Sequence, residues 1–397
     1  MAPGLASPSS GSPIPDDVLF FQILVLLPVK CLLRFQTVCK LWRATLMSTH
    51  FAHRHLEHSR TRPSMVIMPR RYLRYHKMFS LCSVNFYGFQ PGQSKVAELI
   101  LHKRCPGGIP MFSMPLHCDG LIMIPCTTGR IFLCNPATRE FVELPQGSHN
   151  IAKGQRVAFG FDPWSGKYKV ARHFLRSGNG EKCISGNSAG HEILTLGDGE
   201  EVWRWKSTMD PPYPINARTP ICMRGSFYWS AVNSVTGDGH DKVSLHVILR
   251  FSLRDETFAV YPNPPCRGFL SENDMLCELS GKLCYIHSAS PLDVAIWLAE
   301  DGPNLAWSVR CRLILPIPRQ LHVFACASGN GDEIFLSIDA WYLLKCDLRD
   351  GSLEEIIDMA HDMSYDHLNG IKFCSGERSV AHYMLPCVES LLRIIPL

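Results

Sequence analysis

Gly225-Ser226-Phe227-Tyr228-Trp229, followed further on by Phe251-Ser252-Leu253-Arg254-Asp255-Glu256-Thr257-Phe258, reads as a glycine opening a strand and then as strand, polar turn, strand. Both phrases recur along the chain. Gly120-Leu121-Ile122, Gly281-Lys282-Leu283-Cys284 and Gly331-Asp332-Glu333-Ile334-Phe335 repeat the first. Asn135-Pro136-Ala137-Thr138-Arg139-Glu140-Phe141 and Cys346-Asp347-Leu348-Arg349-Asp350-Gly351-Ser352-Leu353 repeat the second. Between them lie short β-branched or aromatic runs at 121–124, 130–133, 157–161, 168–171, 244–251, 283–287 and 333–338. Units spaced by roughly 45–60 residues match four-stranded blades, and the length after residue 63 accommodates about six of them.

Upstream of residue 63 the period becomes helical. Pro15, Asp16 and Asp17 suit a helix start, because proline fits the first turn and acids complement the positive end of the dipole. Leu19, Ile23, Leu24 and Leu27 then fall on one apolar face, and Pro28 stops the helix. Leu32, Leu33 and Phe35 fit a second short helix; Val38, Leu41, Trp42, Thr45 and Leu46 fit a third. Residues 1–13 are rich in Pro, Ser and Gly and are expected to form a disordered leader. The expected fold class is therefore α+β and multidomain: a small N-terminal three-helix unit over 14–58, then an all-β propeller over 63–397. Three such helices make a poor core alone, so their apolar surface calls for a partner.

With 46% hydrophobic and 19% charged residues, the chain is globular in composition. The net charge of +4 is too small to imply nucleic acid, although residues 61–110 carry eight bases against one acid. The longest apolar run, 18–29, is twelve residues and includes Gln22 and Pro28, short of the roughly twenty a membrane span needs. The seventeen cysteines never approach closer in sequence than Cys277 and Cys284, and no Asn-x-Ser/Thr sequon occurs. That usage points to reduced thiols in cytoplasm or nucleus.

The stretch from Ile14-Pro15-Asp16-Asp17-Val18-Leu19 through Leu27-Pro28 and Val38-Cys39-Lys40-Leu41-Trp42-Arg43 closely resembles the F-box, departing from its pattern at Ile14, Gln22 and Leu26. The remainder resembles the F-box-associated domain of plant F-box proteins. Its marks are Asp119-Gly120-Leu121, Asn135-Pro136-Ala137-Thr138-Arg139, Gly160-Phe161-Asp162-Pro163, Tyr168-Lys169-Val170, Trp203-Arg204 and Trp307. The resemblance implies a kelch-like propeller behind a module that binds a Skp-family adaptor and, through it, a cullin-RING scaffold. Such a receptor carries no cofactor and no catalytic residue. It holds a protein target near a loaded conjugating enzyme, promoting target ubiquitination and proteasomal degradation. The residues implied in adaptor binding are Pro15, Ile23, Leu24, Leu27, Pro28, Leu32, Leu33, Val38 and Trp42, some of which pack the helices together instead.

Other chemistries read less well. His53, His55 and His58 with Glu57 lack the His-Glu-x-x-His order of a zinc site and read as a solvated helix end. The run Arg70, Arg71, Tyr72, Arg74, Tyr75, His76, Lys77 interleaves bases and aromatics, but is short for a nucleic-acid strand. Trp203, Trp205, Trp229, Trp297, Trp307 and Trp341 read as blade-packing aromatics. Polar breaks at 177–190, 233–241 and 267–273 are the expected target-binding loops, with Arg176, Lys182, His240, Arg267 and Phe269 as contacts.

Overall fold

Asp119-Gly120, Arg224-Gly225 and Ser280-Gly281 each place two consecutive residues at positive φ (52° and 82°, 47° and 66°, 51° and 76°). That is the type I′ geometry, whose twist matches the strands it joins. Gly120, Gly225 and Gly281 are therefore the second residues of tight hairpins, and Gly331 lies outside the described residues. Gly120 has a further constraint, since a Cβ there would collide with the Val388 carbonyl and Ser390.

The structure, a computed structural model, describes residues 14–62, 64–71, 83–109, 114–151, 156–176, 189–197, 203–216, 218–236, 242–266, 274–300, 305–318, 323–328, 332–366, 372–374 and 380–394. The first β residues are β1 (Ser64–Arg71), β2 (Ser83–Phe89) and β3 (Val96–Arg104). Five four-stranded antiparallel sheets follow. They are β4 to β7 (Leu116–Cys118, Leu121–Pro125, Ile131–Asn135, Glu140–Glu143) and β8 to β11 (Arg156–Asp162, Lys167–Leu175, Ala189–Leu196, Lys206–Ser207). Next come β12 to β15 (Ile221–Met223, Ser226–Thr236, Lys242–Ser252, Phe258–Pro262) and β16 to β19 (Met275–Leu279, Lys282–Ser288, Asp293–Ala299, Trp307–Ile314). The fifth is β20 to β23 (Val323–Ser328, Glu333–Ile338, Tyr342–Asp347, Leu353–Asp358). β24 (Ser364–Asp366) and β25 (Lys372–Cys374) then extend the outer edge of β3, and β26 (Val380–Cys387) pairs with β1 over eight residues, Ser64 opposite Cys387.

That last pairing closes a six-bladed ring. The inner strands β26, β4, β8, β12, β16 and β20 neighbour one another in cyclic order. Six apolar clusters lie one between each neighbouring pair of blades, and a seventh fills the helical module. Trp203, Trp205, Trp229, Trp297, Trp307 and Trp341 pack into these inter-blade layers, with Trp229 fully buried.

Buried polar groups are paired within the blade β8–β11. Glu192 on β10 stands directly opposite Arg172 on β9 and contacts its guanidinium. Glu192 also accepts from the Ser148 hydroxyl (2.7 Å), while Arg172 donates to the Ser148 carbonyl (2.7 Å). Asp162 binds the Lys169 ammonium (2.9 Å) and accepts from the Ser165 hydroxyl and Trp164 amide, fixing the turn after β8.

Three enclosed histidines make the fold acid-sensitive. Burial pushes His173 and His382 down to about 4 and His191 to about 3. Their folded values lie below the unfolded one near 6.5, so protons bind the unfolded chain first as pH falls. Stability should thus be lost from about pH 6.5 downward through pH 4, by up to about 1.4 kcal/mol per histidine per pH unit. His287 acts in the opposite direction: held by Asp274 it rises to about 10, so its contribution is present below pH 6.5 and fades towards pH 10. Urea titrations at pH 7 and pH 5 check this; equal midpoints would refute it.

Candidate docking surface

The helical module has four helices rather than three: α1 (Asp16–Val18), α2 (Val29–Phe35), α3 (Lys40–Leu46) and α4 (Thr49–Ser59). α1 continues through a wide π turn, Leu19–Ile23, and a tight 3-10 turn, Leu24–Leu26. This change of pitch breaks the 3.6-residue period. The buried set is consequently Phe20, Leu24 and Val25, while Ile23, placed by spacing on the same apolar face as Leu24 and by resemblance in adaptor binding, is exposed. Leu27, forced to extended backbone by the proline after it, ends the turn, and Pro28 opens α2.

α4 also corrects the reading of residues 53–58 as a solvated helix end. Ser48 caps α4 by accepting from the Phe51 amide (3.2 Å). His55 is buried about two turns later, its Nε2 2.9 Å from the Leu27 carbonyl and its Nδ1 3.3 Å from the Ser59 hydroxyl. Burial lowers its pKa despite the opposing Leu27 carbonyl. It therefore serves as a neutral bridge between α4 and the break before α2.

The nine residues implied in adaptor binding divide into three groups. Leu24 and Leu32, 3% and 0% exposed, lie inside the module and pack its helices. Leu27, Leu33 and Trp42 are half-buried, the Trp42 ring standing edge-on to Phe20 and Phe35. Pro15, Ile23, Pro28 and Val38 are exposed. Leu27 and Pro28 line a cleft of about 240 Å³ shared with His55, Arg62, Ser64, Gln90 and Glu389, so replacing them would also disturb the junction with the propeller. Spacing missed Ile14 and Leu41, which are 56% and 55% exposed.

The residues after β26 bind this module to the blade β4–β7. The Glu389 carboxylate accepts from the Val29 amide (2.8 Å), serving the N-terminus of α2 from 360 residues away. Leu391 is buried among Phe20, Leu24 and Phe51. Buried Asn135 uses its full amide: it donates to the carbonyls of Ser390 (2.9 Å) and Leu392 (2.8 Å), and accepts from the amides of Ala137 and Thr138. Glu140 accepts from Arg393 and from the Ile394 amide. Arg60, just past α4, pairs with Asp119, which also accepts from the Tyr168 hydroxyl (2.9 Å). The sequence marks Asp119-Gly120, Asn135 and Tyr168 thus converge on one junction.

The helices sit at the end where β1 begins and β26 finishes. Strand alternation puts the ends flanking the expected target loops at the opposite end: Leu175 and Ala189, Thr236 and Lys242, Pro262 and Met275. Residues 233–236 belong to β13 rather than to a loop. Arg176 is described there, clamped to Asp210 (2.7 and 3.0 Å) above the Phe174 ring. Lys182, His240, Arg267 and Phe269 lie outside the described residues. Arg70 is 1% exposed within β1, so it cannot offer its charge to a nucleic-acid strand; residues 72–77 also lie outside the described set. Between the two ends runs an axial cavity of about 360 Å³, lined by Arg60, His117, Cys118, Cys222, Glu278 and Met384 among others, but by none of the six tryptophans.

Residues 76–357 match the family described as the F-box associated beta propeller domain. F-box protein At1g47810 of Arabidopsis thaliana is 26% identical over 369 residues, covering 84% of this chain and 99% of that protein. The Arabidopsis F-box/kelch-repeat protein At2g43270 is 29% identical over 236 residues, covering 54% and 96%. Among solved structures, Trypanosoma rangeli sialidase gives a TM-score of 0.42 at 8% identity, covering 66% of this chain and 51% of the sialidase, so the chain spans about half of that protein. With the ring of six blades and a family match across most of its length, the chain belongs to the F-box-associated β-propeller family and is a plant F-box protein.

Proposed function

We propose that the chain is the substrate-recognition subunit of a Skp–cullin–F-box (SCF) ubiquitin ligase, acting in cytoplasm or nucleus. Its helical module, read as the F-box, docks on a Skp-family adaptor, and the far end of the propeller holds a protein target. The observation that carries this reading is the distribution of exposed apolar residues. Of twelve large hydrophobics exposed among the described residues, Ile14, Ile23, Leu26, Val38 and Leu41 fall within the first 41 positions. Exposed apolar surface of that density marks a protein interface. The chain's own contribution is proximity, not bond-making: a target fixed at one end of a rigid ring is presented to chemistry carried by other subunits.

Val38→Asp with Leu41→Asp tests the docking half, because both side chains are exposed and neither supports the module's core. If they are central interface contacts worth roughly 2 kcal/mol each, adaptor affinity should fall by at least ~30-fold. Thermal unfolding should stay unchanged. Undiminished co-purification of the adaptor with this variant would exclude the assignment. For the ligase role, the half-life of a captured target should lengthen when the cullin is inactivated; an unchanged half-life would leave a scaffold, not a ligase receptor.

A further inference from the structure

Cys105 follows β3 and Cys126 precedes β6, both at the end of the propeller away from the helices. Their sulfurs are 3.2 Å apart and both residues are fully buried. The two backbone segments are already docked. The Thr127 amide donates to the Gly108 carbonyl (3.3 Å), and the Thr127 and Thr128 hydroxyls donate to the carbonyls of Gly107 and Pro106. Thr127 and Thr128, next in the chain to Cys126, are exposed.

We propose that Cys105 and Cys126 are a peroxide-responsive dithiol whose oxidation clips the closure blade β26–β1–β2–β3 to the blade β4–β7. The two sulfurs are in contact, and the Arg130 and Arg70 charges favour a thiolate at either of them. One thiolate takes an oxygen from hydrogen peroxide, the O–O bond breaks, and hydroxide leaves as water with one proton, giving a sulfenic acid. The partner sulfur then attacks it, loses its proton, and a second water departs. Two thiols and one peroxide become one disulfide and two waters.

The test uses the full chain treated with stoichiometric hydrogen peroxide, then alkylated under denaturing conditions. The thiol count should fall by two from seventeen and recover with dithiothreitol. No Lys or Arg lies between residues 105 and 129, so one tryptic peptide, 105–130, carries both cysteines together with Cys118. It should lose two hydrogens while Cys118 remains alkylated, and cleavage before Asp119 should leave its halves joined. Closing this loop should raise the thermal midpoint. With either cysteine replaced by serine, no disulfide should form within peptide 105–130, and the remaining thiol of the pair should stop at a dimedone-reactive sulfenic acid. The wild-type peptide decides the matter if either variant misfolds: a disulfide elsewhere, or peptide 105–130 staying fully alkylated, overturns the proposal.

Discussion

Glu192→Ala is expected to destabilise the propeller by about 3–5 kcal/mol, because it leaves a buried cation without its counter-charge. Both side chains are at most 5% exposed and stand opposite each other on paired strands. The Ser148 carbonyl would remain with Arg172, but a neutral acceptor does not replace a carboxylate. Ser148 would in turn lose the acceptor for its amide and hydroxyl. Gly147 shows how closely the segment before β8 is packed, since a Cβ there would collide with Glu192 and Arg172. Urea unfolding measures the loss. The double variant Glu192→Leu with Arg172→Met should recover most of it, because removing both charges removes the desolvation cost as well. If Glu192→Ala costs under about 1 kcal/mol, the pair is solvated in a way its burial denies.

The second large effect concerns the segment after β26. Deleting residues 388–397 should free the helical module from the propeller while leaving the ring closed, since β26 ends at Cys387. The deletion removes Leu391 from the module's core, worth about 2–5 kcal/mol if it behaves like other buried leucine truncations. It also strips both amide donors of buried Asn135 of their acceptors and takes Glu389 from α2. Proteolysis between α4 and β1 should accelerate at least ~10-fold, the equivalent of 1.4 kcal/mol of local opening. The propeller itself should also melt lower, because Ile394 belongs to the apolar layer between β4–β7 and β8–β11 and Asn135 lies on β6. An unchanged cleavage rate would mean that Arg60–Asp119 and direct helix contacts suffice to hold the module.

The blades were legible because their information is local. A type I′ turn needs positive φ at two successive residues, so Asp119-Gly120, Arg224-Gly225 and Ser280-Gly281 announce hairpins by composition. Alternation then places the strands around them. The helical stretch was legible in outline and misread in phase. A π turn followed by a 3-10 turn rotates the inner face, so no fixed period separates buried Phe20 from exposed Ile23.

By itself, then, the sequence determined a helical N-terminus followed by a repeated four-strand unit of about six copies, and a family to go with them. Only the tertiary structure decided how the two parts are joined. Glu389 serves Val29, and Asn135 serves Ser390 and Leu392, across separations of 255 to 360 residues. It also decided that His55 is a buried bridge, that Leu24 and Leu32 are core, and that Cys105 meets Cys126. His55, Leu24, Leu32 and Cys105 are placed by packing between elements close in the chain, which no single period encodes. At the junction, by contrast, ring closure brings the last strand beside the first. The neighbours of a residue at that seam are therefore set by the closed ring and not by any local pattern.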